Sequence, residues 1–270
     1  MKKLLMILPF LMVLFFSGCA STTQGSVVKA DRKQLLLGVS EKTMNQAALQ
    51  AYNQTLTQAY NKNTLNVDKE QTIRVRKISN ALINHVDIFR PDAKKWDWEV
   101  NVIKDKTVNA WCMPGGKIAV YTGIIDSLKL SDSELAAILG HEIAHALREH
   151  SRERASSDML LGAGLTIISA VTGLGDLGNT ALNLAAQYTI AMPFSRSHES
   201  EADIIGLELM ARAGYNPNSA VNVWRKMNQL DENSIPEILS THPSHDTRIK
   251  DLEEMIPKVM PLYENSKKMD

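Results

Sequence analysis

The sequence predicts an α+β fold, mostly helical, with a small β-sheet set before and beside one helix that carries two histidines. Three observations predict it. Apolar residues recur at helical spacing before residue 90 and again from Ser131 almost to the end of the chain. Between them, from Trp96 to Tyr121, the period falls to two, and Pro114-Gly115-Gly116 places a tight turn inside that alternating stretch. At 44% hydrophobic residues the chain can bury a core, which excludes a disordered protein. Lys plus Arg and Asp plus Glu balance at 30 each, so nothing in the charge points to nucleic acid or another polyanion.

Each element follows in order. Lys2 and Lys3 precede an apolar stretch of 13 residues, Leu4 to Phe16. A bilayer span needs about 20 residues, so 1–18 reads as a secretory signal. Phe16-Ser17-Gly18-Cys19 resembles the bacterial lipobox, and that resemblance implies cleavage before Cys19 and acylation of its sulfur and amine. Several acyl chains would give a durable membrane anchor. Ala20 after the cysteine resembles outer-membrane lipoproteins, which implies a domain facing the periplasm; a plain signal with an incidental cysteine is the alternative. Residues 19–31, rich in Ser, Thr, Gly and Gln, read as a tether, and 32–270 as the main domain.

A helix is predicted from about Ser40 to Tyr60, and a second one starts at Asp68 as N-cap and buries Ile78, Leu82 and Val86. Trp98, Val100 and Val102 mark a half-buried strand, and 108–112 and 117–121 two more, the last read as the sheet edge. With Cys19 acylated, Cys112 has no disulfide partner and reads as a small buried hydrophobe. Arg148, Glu149, Arg152, Glu153 and Arg154 read as a solvated helix face. Met159 to Gly175 holds 17 residues without a charge, and 156–195 is predicted to be a helical lid or membrane-facing hairpin.

The chemistry starts at Ser131, which forms a capping box with Glu134 and opens a helix bearing His141, Glu142 and His145. Four residues advance a helix about 400°, so both imidazoles share one face and can reach one Zn²⁺. Glu142 is offset by about 100°, placed to take a proton from a water polarised by the metal and so to drive peptide hydrolysis. A metzincin would have its third histidine at Ser151, and the thermolysin and aminopeptidase layouts would have a glutamate at Gly164 or Leu165, so those layouts fail. His150, about 180° from His141 on a continuous helix, reads as a solvent or packing residue.

Downstream, Glu199, Asp203, Gly206 and Met210 share one face of another predicted helix, while Glu201, Glu208 and Arg212 share a wholly charged one. The first must look inward, so Glu199 is the expected third ligand, with His198 an alternative. Asp203 is placed to accept a hydrogen bond from the free ring nitrogen of a ligand histidine. Glu201 is expected to face water, and its replacement to leave zinc binding unchanged.

His141-Glu-Ile-Ala-His145 with Glu199-Ser-Glu-Ala-Asp203 resembles the HEXXH zinc metallopeptidase family that includes HtpX, BepA, LoiP and the CaaX prenyl proteases. Asn109 to Gly116, Tyr121-Thr-Gly123 and Thr241-His242-Pro243 through Arg248 fit the same pattern, so that the likeness covers roughly residues 32 to 252. It implies a zincin-like (gluzincin) fold, one zinc per chain, and proteolysis of unfolded or misassembled cell-envelope proteins, nearest the periplasmic lipoprotein branch. It also brings His242 near the metal, to stabilise an oxyanion or bind zinc as a fourth ligand, with Arg248 either assisting or bracing the loop through a carboxylate. Gly115, Gly116, Ile118 and Val120 are the residues expected to hold substrate as an added strand. Two other classes stay open: a zinc-bearing envelope assembly factor with silenced proteolysis, and a zinc hydrolase of peptidoglycan cross-links.

Overall fold

The computed structural model describes residues 19–160, 187–229, 236–243 and 246–268. Residues 1–18, read as a signal, lie outside them, as does most of the stretch 156–195 read as a lid or hairpin, namely 161–186. The first described elements are two short antiparallel strands, β1 (Cys19–Ala20) and β2 (Gln34–Leu35). Ser40 then caps α1 (Glu41–Asn61) by accepting from the Thr43 amide, and Asp68 caps α2 (Lys69–Ile83) by accepting from the Gln71 amide. Both starts match the sequence reading.

The sheet comprises β3 (Glu99–Ile103), β4 (Ala110–Met113) and β5 (Lys117–Tyr121). Its order is β3-β5-β4, with β5 parallel to β3 and antiparallel to β4. The expected edge strand is therefore the central one, and β4 is an edge. Ile118 and Val120 of β5 point with Val100, Val102 and Cys112 into the main core. Ala119 points the other way, with Trp111 and Met113, towards Met44 and Tyr52 of α1. The sheet is thus buried on both faces, and Cys112 is a free, buried core residue.

After β5 come α3 (Thr122–Leu128) and α4 (Asp132–Leu147), the latter opened by a complete Ser131–Glu134 capping box. Then follow α5 (His150–Leu160), a π-helical turn (Gln187–Ala191), α6 (Arg196–Arg212), α7 (Asn218–Met227), α8 (Glu237–Thr241) and α9 (Asp246–Ser266). No described helix is long and apolar enough to cross a membrane.

α4 ends because Glu149 adopts a left-handed φ of 49°, a helix-stop conformation for which a non-glycine residue needs support. Arg90 and Arg152 provide it, at 2.6 and 2.7 Å from the Glu149 carboxylate. The helix carrying His141 is therefore not continuous through His150, and the phase expected for His150 does not apply.

Contrary to the tether reading of 19–31, Thr23, Val28 and Ala30 are buried against the body. Glu208 of α6 accepts from the Val28 amide at 2.9 Å and from Ser26 Oγ at 2.8 Å. The charged face of α6 is thus covered by this N-terminal strap. Arg148, Glu149, Glu153 and Arg154, read as a solvated face, are buried as well. Helical phase shows which residues share a face; it does not show what distant segment covers that face.

α4 and α6 cross with their backbones in contact. A Cβ on Gly206 would lie 2.7 Å from the His141 nitrogen, and one on Gly140 2.9 Å from the Gly206 carbonyl oxygen. Neither neighbour is a flexible side-chain tip, so the helices themselves would have to separate. Gly206→Ala is expected to lower stability by about 1–3 kcal/mol, the usual cost of overpacking a core. A thermal melt that matches the parent protein would contradict this crossing.

Candidate metal centre

Four buried side chains from three separate elements converge here. α4 presents His141 and His145 one turn apart, α6 presents Glu199 from its first turn, and His242 caps the end of α8. Their ligating atoms all lie within 4.8 Å of one another. His141 Nε2 is 3.0 Å from His145 Nε2 and 3.2 Å from His242 Nδ1. Glu199 stands 3.4 Å from His141 Nε2, 3.5 Å from His145 Nε2 and 3.1 Å from His242 Nδ1. A tetrahedron with zinc–ligand bonds of about 2.0–2.1 Å has edges of about 3.3–3.4 Å, so these separations suit one zinc ion. Glu199 Oε2 also accepts no well-aligned hydrogen bond, although Arg248 Nη1 lies 2.6 Å away. A buried carboxylate oxygen left so among ring nitrogens is the donor chemistry a divalent cation satisfies.

The supports come from elsewhere in the chain. α8 hangs on the strand approach: the Ile238 amide donates to Val108 O at 3.2 Å, and Asn109 Nδ2 donates to Glu237 at 3.0 Å. On the far side, the Phe194 amide donates to Thr241 O at 2.8 Å. These bonds hold His242 against the cluster. Asp203 lies 2.9 Å from His141 Nδ1, the nitrogen not aimed at the metal position. Arg248 grips Asp203 through Nε and Nη2, both at 2.7 Å, and its guanidinium lies 3.6 Å over the Trp224 ring. Arg248 is thus the brace between Glu199 and Asp203, one of its two expected roles. Trp224 carries no motif that would have revealed its part.

The electrostatics follow from this packing. Burial would raise the Glu199 carboxyl, but its neighbours His242 and Arg248 hold it well below the usual carboxylate range. Asp203 is likewise lowered against the effect of burial, by Arg248. Glu142 is the exception: burial pushes its carboxyl up, His242 Nε2 is 3.6 Å from Oε1, and that oxygen accepts no hydrogen bond from the described residues.

Other expected site residues fall elsewhere. His198, the alternative ligand, stacks on His150 and faces Glu153 at 3.2 Å. His150 is fully buried, 2.9 Å from His145 Nδ1. Glu201, expected in water, is 9% exposed and contacts Arg32, Arg148 and His150. Ile118 and Val120 are enclosed in the central strand and offer no edge to substrate. Gly115 and Gly116 serve their turn, with φ of 80° and 83°, and a Cβ on Gly116 would strike the Trp98 ring at 2.7 Å. Cys19 is placed by its backbone alone, opposite Leu35.

Fold and cluster together define the class: a mostly helical α+β domain whose HEXXH metal site is completed by a glutamate from a later helix. The chain belongs to peptidase family M48, whose sequence profile matches residues 69–256. It is 41% identical over 153 residues to the mitochondrial metalloendopeptidase OMA1 of Arabidopsis thaliana, covering 57% of this chain and 30% of that protein. It is 28% identical over 184 residues to the metalloprotease YcaL of Escherichia coli, covering 68% and 69% of the two chains. The metalloprotease LoiP of Escherichia coli is 27% identical over 174 residues, covering 63% and 65%. The chain spans 30% to 50% of the length of the mitochondrial relatives of plant and yeasts. Zinc is the metal of this family, and His141, His145, Glu199 and His242 are the residues that would hold it.

Two outcomes are expected. Glu199→Gln lowers bound zinc, measured by metal analysis after dialysis. Zinc uptake also depends on pH. Burial would lower His141, but its bonds to Asp203 and Glu199 push it up to about 9. That proton stabilises the metal-free fold fully below about pH 6.5, and the contribution is lost as pH rises through the folded value. A metal must displace the proton, so zinc affinity rises across the same window. Calorimetry in buffers of different ionisation enthalpy should find about one proton released at neutral pH and close to none well above pH 9. Equal release at both would contradict the assignment.

Proposed function

We propose that this chain is a zinc-dependent endopeptidase that cleaves unfolded or misassembled proteins of the cell envelope. The observation that carries the hydrolytic reading is the convergence of His141, His145 and Glu199 around one point, with Glu142 Oε1, which accepts no hydrogen bond among the described residues, beside it. Zinc, when bound, supplies Lewis-acid polarisation of water and of the peptide carbonyl. Glu142, made more basic by burial, takes the proton of the attacking water at Oε1 and delivers it to the leaving amine. Arg248 and Asp203 keep Glu199 and His141 in place while charge shifts in the cleft. Substrate adds to β4, the edge strand that packs beside α4, through main-chain bonds that tolerate many sequences. This replaces the assignment of Ile118 and Val120.

The setting rests on the sequence. The lipobox at Cys19 supports a lipid-anchored protein of the outer membrane facing the periplasm, and the likeness to LoiP and YcaL supports a bacterial protease. The quality-control role is carried over from the family resemblance. A second reading, latency, is favoured by one observation: His242 Nδ1 already stands within the cluster, 3.2 Å from His141 Nε2 and 3.1 Å from Glu199. In that state His242 would be a fourth residue holding the metal, and in the active state its ring would instead be free to stabilise the oxyanion.

Glu142→Gln is expected to keep its zinc and lose casein hydrolysis by at least about 100-fold, the lower range for losing a general base. Retained cleavage by this variant would remove Glu142 from the mechanism. Complementation of a deletion by the same variant would instead favour an assembly role.

A further inference from the structure

Each ligand histidine needs a partner on its second ring nitrogen to fix its tautomer and its tilt. His141 meets a carboxylate directly, Asp203 at 2.9 Å. Among the described residues no carboxylate stands within reach of His145 Nδ1; it has another imidazole, His150 Nδ1 at 2.9 Å. The far nitrogen of that ring, His150 Nε2, lies 3.0 Å from Glu201 Oε2. With His145 binding metal through Nε2, its Nδ1–H donates to His150 Nδ1, which leaves His150 Nε2–H to donate to Glu201. One tautomer set satisfies every atom in the line, and no other does.

We propose that His150 is a positioning residue for the metal centre, transmitting to His145 the orientation imposed by Glu201. The proposal rests on the zinc peptidase reading above. Three features support it. The left-handed joint at Glu149 turns the chain so that His150, five residues past His145, comes back onto the ligand ring. His150 is fully buried and stacked on His198 at 4.4 Å between ring centres, so its plane is fixed. Glu201 is itself held by two guanidinium groups, Arg148 Nε at 3.0 Å and Arg32 Nη2 at 3.1 Å. Arg32 directly follows the N-terminal strap, extends it, and also pairs with Glu153 at 2.7 Å. The strap is therefore the outermost support of a metal ligand. A ligand ring held in this way has less freedom to lose on binding, and its basicity rises through the line of hydrogen bonds.

The test compares His150→Phe, His150→Gln, Glu201→Gln and Arg32→Met in the full chain. His150→Phe keeps a ring and deletes both nitrogens; His150→Gln restores one acceptor and one donor at similar separation. Zinc affinity is measured by chelator competition, and the ligand field by the visible spectrum of the cobalt(II) form. His150→Phe is expected to bind zinc 10–100-fold more weakly, with a shifted cobalt spectrum, and His150→Gln to recover most of both. Glu201→Gln and Arg32→Met keep His150 in place and should weaken zinc by smaller factors, in that order; they carry the test if His150→Phe does not fold. Unchanged zinc affinity and cobalt spectrum in His150→Phe, or in Glu201→Gln should the former not fold, overturn the relay and leave the metal site intact. A parent protein that binds no zinc overturns the metal-site reading and the relay together.

Discussion

The site depends on two helices lying closer than side chains normally allow. At Gly140 and Gly206 a Cβ would force α4 and α6 apart, and each glycine adjoins or faces a residue of the cluster. His141 follows Gly140 directly, while Asp203 and Glu199 sit one and two turns before Gly206 on the same face. Backbone contact at that point turns three chemically separate residues into one rigid arrangement, because close-packed helices do not slide by fractions of an ångström. The aliphatic core around Leu135, Leu139, Ile205 and Leu209 secures the crossing from both sides.

Close approach brings charges into a dry interior, and the chain balances them there. Three carboxylates, Glu142, Glu199 and Asp203, lie buried with one permanent cation, Arg248. A bound divalent ion would bring that sum to neutrality, so a metal would relieve the buried charge. Arg248 is itself stabilised by stacking on Trp224, so the brace draws on packing as well as charge. The overall balance of acidic and basic residues thus hides a strong internal concentration of both.

Much of this was legible in the residues. The capping box, the one-turn separation of His141 and His145, the inward phase of Glu199 and Asp203, and the alternation of β3 all follow from local periodicity, and the structure repeats them. What was not legible depends on partners far away in the chain. β5 reads as an edge because it follows the Gly115-Gly116 turn and leads to the active helix, whereas its pairing with β3 makes it central. Glu201 reads as facing water because the helix face it shares with Glu208 is charged; the segment that covers that face is polar, and its composition looks like that of a linker. His150 was misplaced because helical phase assumes an unbroken helix, and the break at Glu149 is stabilised by Arg90, nearly sixty residues earlier.

The strap also governs geometry on a larger scale. Ser21 and Thr23 already contact Arg148, and Cys19–Ala20 pair with Gln34–Leu35, so almost no free polypeptide separates Cys19 from the folded body. In the lipid-anchored form proposed above, the cleft would ride at a fixed, low height over the bilayer. Such an enzyme would patrol a thin layer of the periplasm and meet chains as they arrive at, or stall on, the membrane face.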